Sequence, residues 1–264
     1  MFALHERPLV MGIVNVTPDS FSDGGRFFGH RQALEHAARL VEEGADILDI
    51  GGESTRPGAQ PVSLQEELDR VMPVLEGTRD FGVPVSIDTM KPELMRAALE
   101  AGATMINDVN AFRAPGAWAA VKDSDCALCV MHMPGEPRTM HDVPEYRDVV
   151  TEVESFLAER MAAAAAEGIA AARIVVDPGF GFGKSLEDNL ALLRGLGRFK
   201  ALAPVLAGVS RKRMIGALTG REVQDRLAGS LAAALRAVDN GAAIVRVHDV
   251  RETVDALKVW RSTA

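Results

Sequence analysis

Eight short, mostly apolar segments follow one another along the whole chain, and they constrain its fold more than any other feature. Such continuous apolar segments are typical of parallel strands that are covered on both faces. The predicted strands are Leu9–Val14, Ile47–Ile50, Val83–Ile87, Thr104–Ile106, Ala127–Met131, Ile174–Val176, Val205–Val209 and Ala243–Val247. Segments with helical spacing separate them, so the pattern predicts eight consecutive βα units.

The segments between the strands have apolar residues at i, i+3, i+4 and i+7, as in 34–41 and 94–101, and the longest predicted helix covers about 145–167. Four of the predicted helices end at a glycine, which adopts positive φ without steric cost. These glycines are Gly44, Gly102, Gly168 and Gly241. Because no linker interrupts the eight units, we predict an α/β protein: one (β/α)8 TIM barrel domain over residues 1–264, rather than an open doubly wound sheet.

Charge and cysteine content limit the possible partners of the chain. A net charge of −8 without a basic cluster argues against nucleic acid or an anionic membrane surface as a partner. No segment approaches the ~20 apolar residues of a membrane span, and no signal peptide is visible, so we expect a cytoplasmic protein. Cys126 and Cys129 form an isolated CxxC, which we interpret as two buried structural thiols on opposite faces of a strand rather than a redox or zinc site.

Polar residues stand at the end of every predicted strand. They are Asn15, Asp49, Asp88, Asn107, His132, Asp177, Ser210, Arg246 and His248. A single Asp, Asn or Ser at such a position usually caps the next helix. Capping does not explain the set, because Asp177 precedes a glycine-rich loop and Thr89 is the better cap for the helix that starts near Pro92. The carboxyl ends of barrel strands form the active face, so we predict the active site there.

Three loops add to this predicted site. Segments 15–25 and 51–58 are long and polar, as expected of loops that close over a ligand. The segment 179–184 is glycine-rich but lacks the spacing of a phosphate-binding P-loop. Ser210, Arg211 and Lys212, together with Arg246 and His248, predict a cationic pocket for a phosphate or diphosphate. The Asp and Asn side chains suit a heterocycle with N–H donors, and Asn15 with the loop acids suits Mg²⁺.

Taken in order, these motifs resemble those of the dihydropteroate synthase family of folate biosynthesis. They are segments 15–25, 51–58, 87–89, 106–108, 177–184, 210–212 and 246–250, which span nearly the whole chain. The resemblance implies a transferase that condenses 7,8-dihydropterin-6-ylmethyl diphosphate with 4-aminobenzoate, releasing diphosphate. It also implies a sulfonamide target that uses Mg²⁺ and forms a homodimer.

The resemblance further implies a role for individual residues. Those expected to bind the substrates are Thr55, Arg56, Asp88, Asn107, Met131, Asp177, Phe182, Lys212, Arg246, Val247, His248, Phe21 and Pro57. Asp88, Asn107 and Asp177 would bind the pterin ring, with Lys212 on its other polar edge and Met131 lining the pocket. Arg246, His248 and Asn15 would hold the diphosphate, with Asn15 also a Mg²⁺ ligand. Lys212, Asp88, Arg246 and His248 are the expected catalytic residues.

The aminobenzoate would lie among Phe182, Lys212, Phe21 and Pro57. Many family members have Ser after the lysine, whereas this chain has Arg213. Two other functions remain open at this point. A methyltetrahydrofolate:corrinoid methyltransferase has a similar fold and pterin pocket but needs no diphosphate pocket, and a pterin-binding paralogue would lack synthase activity.

Overall fold

The computed structural model describes residues 7–17, 25–55, 60–135 and 146–263, in which eight parallel strands close into a barrel. The strands are β1 (Leu9–Asn15), β2 (Ile47–Gly51), β3 (Val85–Asp88), β4 (Met105–Asp108), β5 (Ala127–Met131), β6 (Ile174–Asp177), β7 (Val205–Ala207) and β8 (Ala242–Val247). The described helices are α1 (Gly25–Glu42), α2 (Leu64–Gly77), α3 (Pro92–Glu100), α4 (Ala117–Val121), α5 (Val149–Ala166), α6 (Leu186–Arg194), α7 (Arg213–Thr219), α8 (Leu227–Asp239) and α9 (Val250–Thr263). The predicted (β/α)8 barrel is confirmed.

The alternation of side chains along each strand divides the core into two parts. Inward-facing side chains fill the lower barrel with a compact apolar cluster, which we call the barrel plug. It consists of Leu9, Met11, Ile47, Met105, Ala127, Cys129, Val175, Leu206 and Ile244. The intervening outward-facing residues, such as Val10, Leu48 and Ile106, pack instead against the helices in a second, larger cluster. Barrel strands are buried on both faces, which is why the segments read as continuously apolar.

The two cysteines follow the same alternation. Cys129 belongs to the barrel plug, whereas Cys126 belongs to the cluster between strands and helices. Both are buried, unpaired thiols. Cys126 contacts the hydroxyl of Ser124 at 3.1 Å and the guanidinium of Arg173 at 3.6 Å. The predicted opposite placement of two buried structural thiols is therefore confirmed.

Several element boundaries differ from the predicted ones, and most of the differences extend strands into the site. Asn15, Asp88, Asn107 and Asp177 lie within their strands, because the ladder to the neighbouring strand continues past the apolar segment. In contrast, β7 ends at Ala207, two residues before the predicted end.

Two predicted helix starts also need correction. The prediction of Thr89 as a helix cap was wrong, because α3 begins at Pro92 with Lys91 in the cap position. The Thr89 hydroxyl instead accepts a hydrogen bond from the Lys91 backbone N–H. The start of α5 is Val149 rather than a residue near 145, since Asp148 is extended and its carboxylate caps the Thr151 N–H.

The glycines that end four helices are confirmed in their predicted role. Gly44, Gly102, Gly168 and Gly241 all have positive φ, between 82° and 105°. Within the described ranges, no helix is long and apolar enough to cross a membrane.

Gly168 allows a clean test of this helix-to-strand join. A Cβ built at Gly168 would meet no atom within 4 Å, so Gly168→Ala adds only the backbone strain of φ +82°. We expect Gly168→Ala to lower the free energy of unfolding by about 1–2 kcal/mol in urea titrations. Gly168→Asn should lose less, since Asn tolerates the left-handed region.

The neighbouring Glu167 provides the control for this experiment. Glu167 is exposed and has a φ of −85°, so Glu167→Ala should leave stability within about 0.5 kcal/mol of the parent. Equal losses in the Gly168→Ala and Gly168→Asn variants would contradict the backbone explanation.

Candidate active site

A layer of polar side chains lies directly above the barrel plug. Asp49, Asn107, Asp177 and Arg246 each come two residues after an inward-facing member of the plug on the same strand. Because side chains alternate along a strand, these four must point into the barrel as well. The inward-facing pattern therefore changes from apolar to polar at the carboxyl ends of the strands, and this change creates the floor of a site.

Arg246 is the centre of this floor. Its Nε donates to Asp49 Oδ2 at 2.6 Å and its Nη2 donates to Asp88 Oδ2 at 2.9 Å, so one guanidinium joins β8 to β2 and β3. Burial opposes the charged form of Arg246, but Asp49 and Asp88 outweigh it and raise the pKa. Burial also raises the pKa of Asp88 to about 7, although the Arg246 charge pulls the pKa down.

Asp49 connects this ion pair to Asn107 on β4. Its Oδ2 also accepts a hydrogen bond from the Asn107 side-chain Nδ2 at 3.1 Å, so the side-chain oxygen Oδ1 of Asn107 is the atom of this amide that can act as an acceptor. Asp49 is fully buried, and its Oδ1 has no hydrogen-bond partner among the described residues. Asp49 stands at a predicted strand end, but its role as a partner of Arg246 was not predicted. The sequence signal for this role was its position two residues after the apolar Ile47, because side chains two apart on a strand point to the same side.

One cavity brings together most of the predicted site residues. Its lining includes Thr55, Asp88, Asn107, Met131, Asp177, Phe182, Ser210, Lys212, Arg246 and His248. The strand ladder supports this grouping, because Asp88 pairs in register with Asn107 and Met131 pairs with Asp177. The predicted Phe21, Arg56 and Pro57 lie outside the described residues. Val247 is in the outer cluster, so its side chain does not face the cavity.

Lys212 provides a cation in the cavity that Asp88 also lines. Its Nζ lies 4.4 Å from the centre of the Phe182 ring, in a cation–π contact. Burial lowers the pKa of Lys212 to about 8, and the charge of Asp177 opposes this shift. Asp177 is itself held in place, because its Oδ1 accepts the Gly179 N–H at 2.7 Å.

The glycine-rich loop after β6 is organised around Lys184, for which no role was predicted. The Lys184 Nζ lies 2.9 Å from Gly179 O, 3.1 Å from Phe182 O and 2.9 Å from His132 Nδ1. Burial, together with the charge of Lys184, lowers the pKa of His132 to about 2, so His132 is a neutral acceptor. The loop forms a wall of the cavity and carries Phe182. The sequence signal for the role of Lys184 was its position at the end of a glycine-rich segment.

The turn after β7 departs from the predicted cationic pocket in one respect. Arg211 adopts a φ of +56°, and its guanidinium leaves the cavity to pair with the Asp249 carboxylate. Its backbone N–H donates to Ser230 Oγ at 2.9 Å. The Arg211 guanidinium is therefore not part of the cavity lining, although its charge still acts on His248. Instead, the pinned turn directs Lys212 into the cavity and places Ser210 against His248.

His248 joins this cavity to a neighbouring one. The second cavity is lined by Ile13, Asn15, Gln32, Glu35, His36, Arg39 and His248. Ser210 Oγ lies 3.0 Å from His248 Nδ1 and accepts the His248 backbone N–H at 3.3 Å. Burial lowers the pKa of His248 to about 3, with the charges of Arg246 and Arg211 acting in the same direction. Arg246 and His248 were predicted on one side of a strand, and both line this cavity, although His248 is the first residue after β8.

Comparison with known proteins identifies a family for this arrangement. A family model described as "Pterin binding enzyme" matches residues 11–248. The dihydropteroate synthase of Escherichia coli (strain K12) is 48% identical over 258 residues, which cover 97% of this chain and 92% of the relative. That of Neisseria meningitidis serogroup B is 52% identical over 265 residues, covering 97% and 93%.

Solved structures agree with these relatives. The chain matches a Xanthomonas albilineans dihydropteroate synthase with 4-aminobenzoic acid at a TM-score of 0.93 and 58% identity, covering 98% of this chain and 93% of that one. The same enzyme in complex with 7,8-dihydropteroate matches at a TM-score of 0.89 and 55% identity, covering 98% and 94%. The chain therefore belongs to the pterin-binding enzyme family, among the dihydropteroate synthases.

Proposed function

We propose that the strand-end residues divide the dihydropteroate synthase reaction among three neighbouring subsites. The observation that carries this proposal is the single cavity in which carboxylate and amide acceptors lie beside Lys212, Arg246 and His248. In the reaction, 7,8-dihydropterin-6-ylmethyl diphosphate loses diphosphate, and 4-aminobenzoate bonds to the methylene carbon. The electron-rich pterin can stabilise positive charge at this carbon, so the residues need to position the reactants and stabilise the leaving group.

The acceptors on the floor of the cavity match the pterin ring. Asp88, Asn107 and Asp177 present oxygen atoms, and the pterin has ring N–H and amino groups that donate hydrogen bonds. Lys212 faces them and suits the carbonyl and ring-nitrogen acceptors of the pterin. Met131 adds an apolar surface, so the pocket combines a few convergent polar groups with an apolar wall, as ligand pockets do.

Arg246 and His248 lie towards the side where the diphosphate would leave. Arg246 is held by Asp49 and Asp88, so it reaches the diphosphate as a fixed cation that need not reorganise during the reaction. His248 lies between this cavity and the one that contains Asn15. Thr55 and the segment that follows it complete the proposed site, with Arg56 and Pro57 contributing from the second loop.

Asn15 is our proposed protein ligand for Mg²⁺. It ends β1 and shares a cavity with His248, on the proposed diphosphate side. Among the described residues, no group of three or more His, Cys, Asp or Glu is arranged around a metal position. This suits an ion that takes one amide oxygen from the protein and the rest of its ligands from diphosphate and water, as Mg²⁺ often does. The ion would neutralise charge on the departing diphosphate.

The aminobenzoate is proposed to lie against Phe182, with Lys212 behind the ring and Phe21 and Pro57 enclosing it. Arg213 follows Lys212 as the exposed first residue of α7, so a cation stands near this side of the cavity.

We propose that the enzyme acts as a homodimer, which analytical ultracentrifugation of the purified chain tests directly.

An assay with both substrates tests the proposed function. Purified protein is mixed with Mg²⁺, the pterin diphosphate and 4-aminobenzoate, and both diphosphate and dihydropteroate are measured. We expect equal amounts of the two products, and a chelator should stop their formation. Pterin binding without product would identify a silent paralogue, and methyl transfer to a corrinoid would identify the methyltransferase alternative.

The roles of Lys212 and Asp88 lead to a mutational prediction. Lys212→Ala and Asp88→Asn should each reduce turnover by about 100-fold or more, because each removes a charged group that is placed in advance around the reacting pterin. Circular dichroism should show folded protein in both cases. The exposed pair Lys258 and Asp255 supplies the controls, since Lys258→Ala and Asp255→Asn change the same residue types away from the site. Near-normal turnover in either site variant would remove that residue from the mechanism.

The lowered pKa of Lys212 leads to a second prediction. Lys212 carries its charge below a pKa of about 8 and loses it above. The kcat/KM for the pterin diphosphate should therefore fall as pH rises through about 8. In the Lys212→Arg variant this alkaline decline should disappear, even if turnover is lower, because a guanidinium stays protonated. An unchanged alkaline limb in that variant would assign the titration to another group.

A further inference from the structure

The Ser210 hydroxyl contacts two atoms of His248, the backbone nitrogen and the ring nitrogen Nδ1. Ser210 is 6% exposed, and its oxygen accepts the His248 backbone N–H at 3.3 Å. The same oxygen lies 3.0 Å from His248 Nδ1. Among the described residues, Nδ1 is the one acceptor within hydrogen-bond distance of the Ser210 hydroxyl, so donating to Nδ1 satisfies the hydroxyl proton.

The backbone on both sides holds this contact in place. Arg211 follows Ser210 and pairs with Asp249, the residue after His248, so two adjacent residues of one loop bind two adjacent residues of the other. Arg211 has a left-handed backbone that its contacts with Asp249 and Ser230 maintain. Left-handed non-glycine residues persist where the surrounding structure overdetermines them, and they cluster at functional sites.

The electrostatic surroundings make the choice of proton position on His248 important. Burial disfavours the charged imidazole, and the charges of Arg246, Arg211 and Lys212 act in the same direction, whereas the Asp249 carboxylate acts against them. The ring is therefore neutral, and a neutral imidazole carries one N–H and one lone pair. If the nitrogen that faces an anion carries the proton, it donates a hydrogen bond to the anion. If it carries the lone pair, it repels the anion.

We infer that Ser210 is a positioning residue that holds His248 as the tautomer protonated at Nε2, so that Nε2–H serves as a hydrogen-bond donor to an anionic oxygen. No described residue forms a hydrogen bond with Nε2, and the ring lines both cavities. The identity of that anion as the substrate diphosphate rests on the proposed function. The tautomer itself is a property of the protein without ligand.

Nuclear magnetic resonance of the ligand-free protein tests the inference without any assay of turnover. With ¹⁵N-labelled histidine, long-range ¹H–¹⁵N spectra distinguish the two neutral tautomers, and a His248→Gln variant assigns the His248 signals among the six histidines. We expect the parent protein to carry the proton on Nε2 at neutral pH. A proton on Nδ1 in the parent protein would overturn the inference, even if dihydropteroate is formed.

Binding measurements test the consequence for anions. Ser210→Ala removes the donor to Nδ1, so inorganic diphosphate with Mg²⁺ should bind roughly tenfold more weakly, as expected for loss of a hydrogen bond to a charged group. A dihydropterin without diphosphate should bind as tightly as to the parent. Ser210→Thr retains the hydroxyl and should restore the Nε2–H tautomer and diphosphate affinity. Unchanged tautomer and diphosphate affinity in Ser210→Ala would overturn the role of Ser210.

Discussion

A buried charge must be paired, and this requirement shapes the whole upper half of the barrel. Asp88, Asp177, Arg246 and Lys212 line one cavity above an apolar plug, and Asp49 is fully buried beside Arg246, so water cannot solvate these charges fully. Arg246 meets the requirement for two carboxylates at once, and in doing so it joins three strands. The same pairing that offsets the cost of burying these charges also fixes the directions of the groups that line the cavity.

The loops around this floor are held by side chains that do not themselves face the substrate. The Lys184 ammonium gathers the backbone carbonyls of the glycine-rich loop, and Arg211 locks the turn after β7 to Asp249. Such supports matter because a transition state is stabilised by groups that are already in place. Under the proposed mechanism, these rigid supports for Phe182 and Lys212 would keep both side chains in place around the pterin.

Much of the fold and part of the site followed from local patterns. Eight apolar segments, the helix-ending glycines and the polar strand ends predicted the closed barrel and its active face, because these depend on periodicity alone. The roles of Arg211 and Asp49 did not follow. Both depend on partners far along the chain, at 38 and 197 residues' separation, and no local pattern shows which carboxylate a cation will meet.

The sequence by itself determined which side chains face into the barrel and that they become polar at the carboxyl ends of the strands. It also contains the family motifs, and the resemblance that they carry implied the reaction. Only the tertiary structure decided how the charged and polar groups pair: Arg246 with Asp49 and Asp88, Arg211 with Asp249, and Ser210 with His248. The physical reason is that alternation along a strand is local, whereas the pairing of charges depends on which strands the closed barrel brings together.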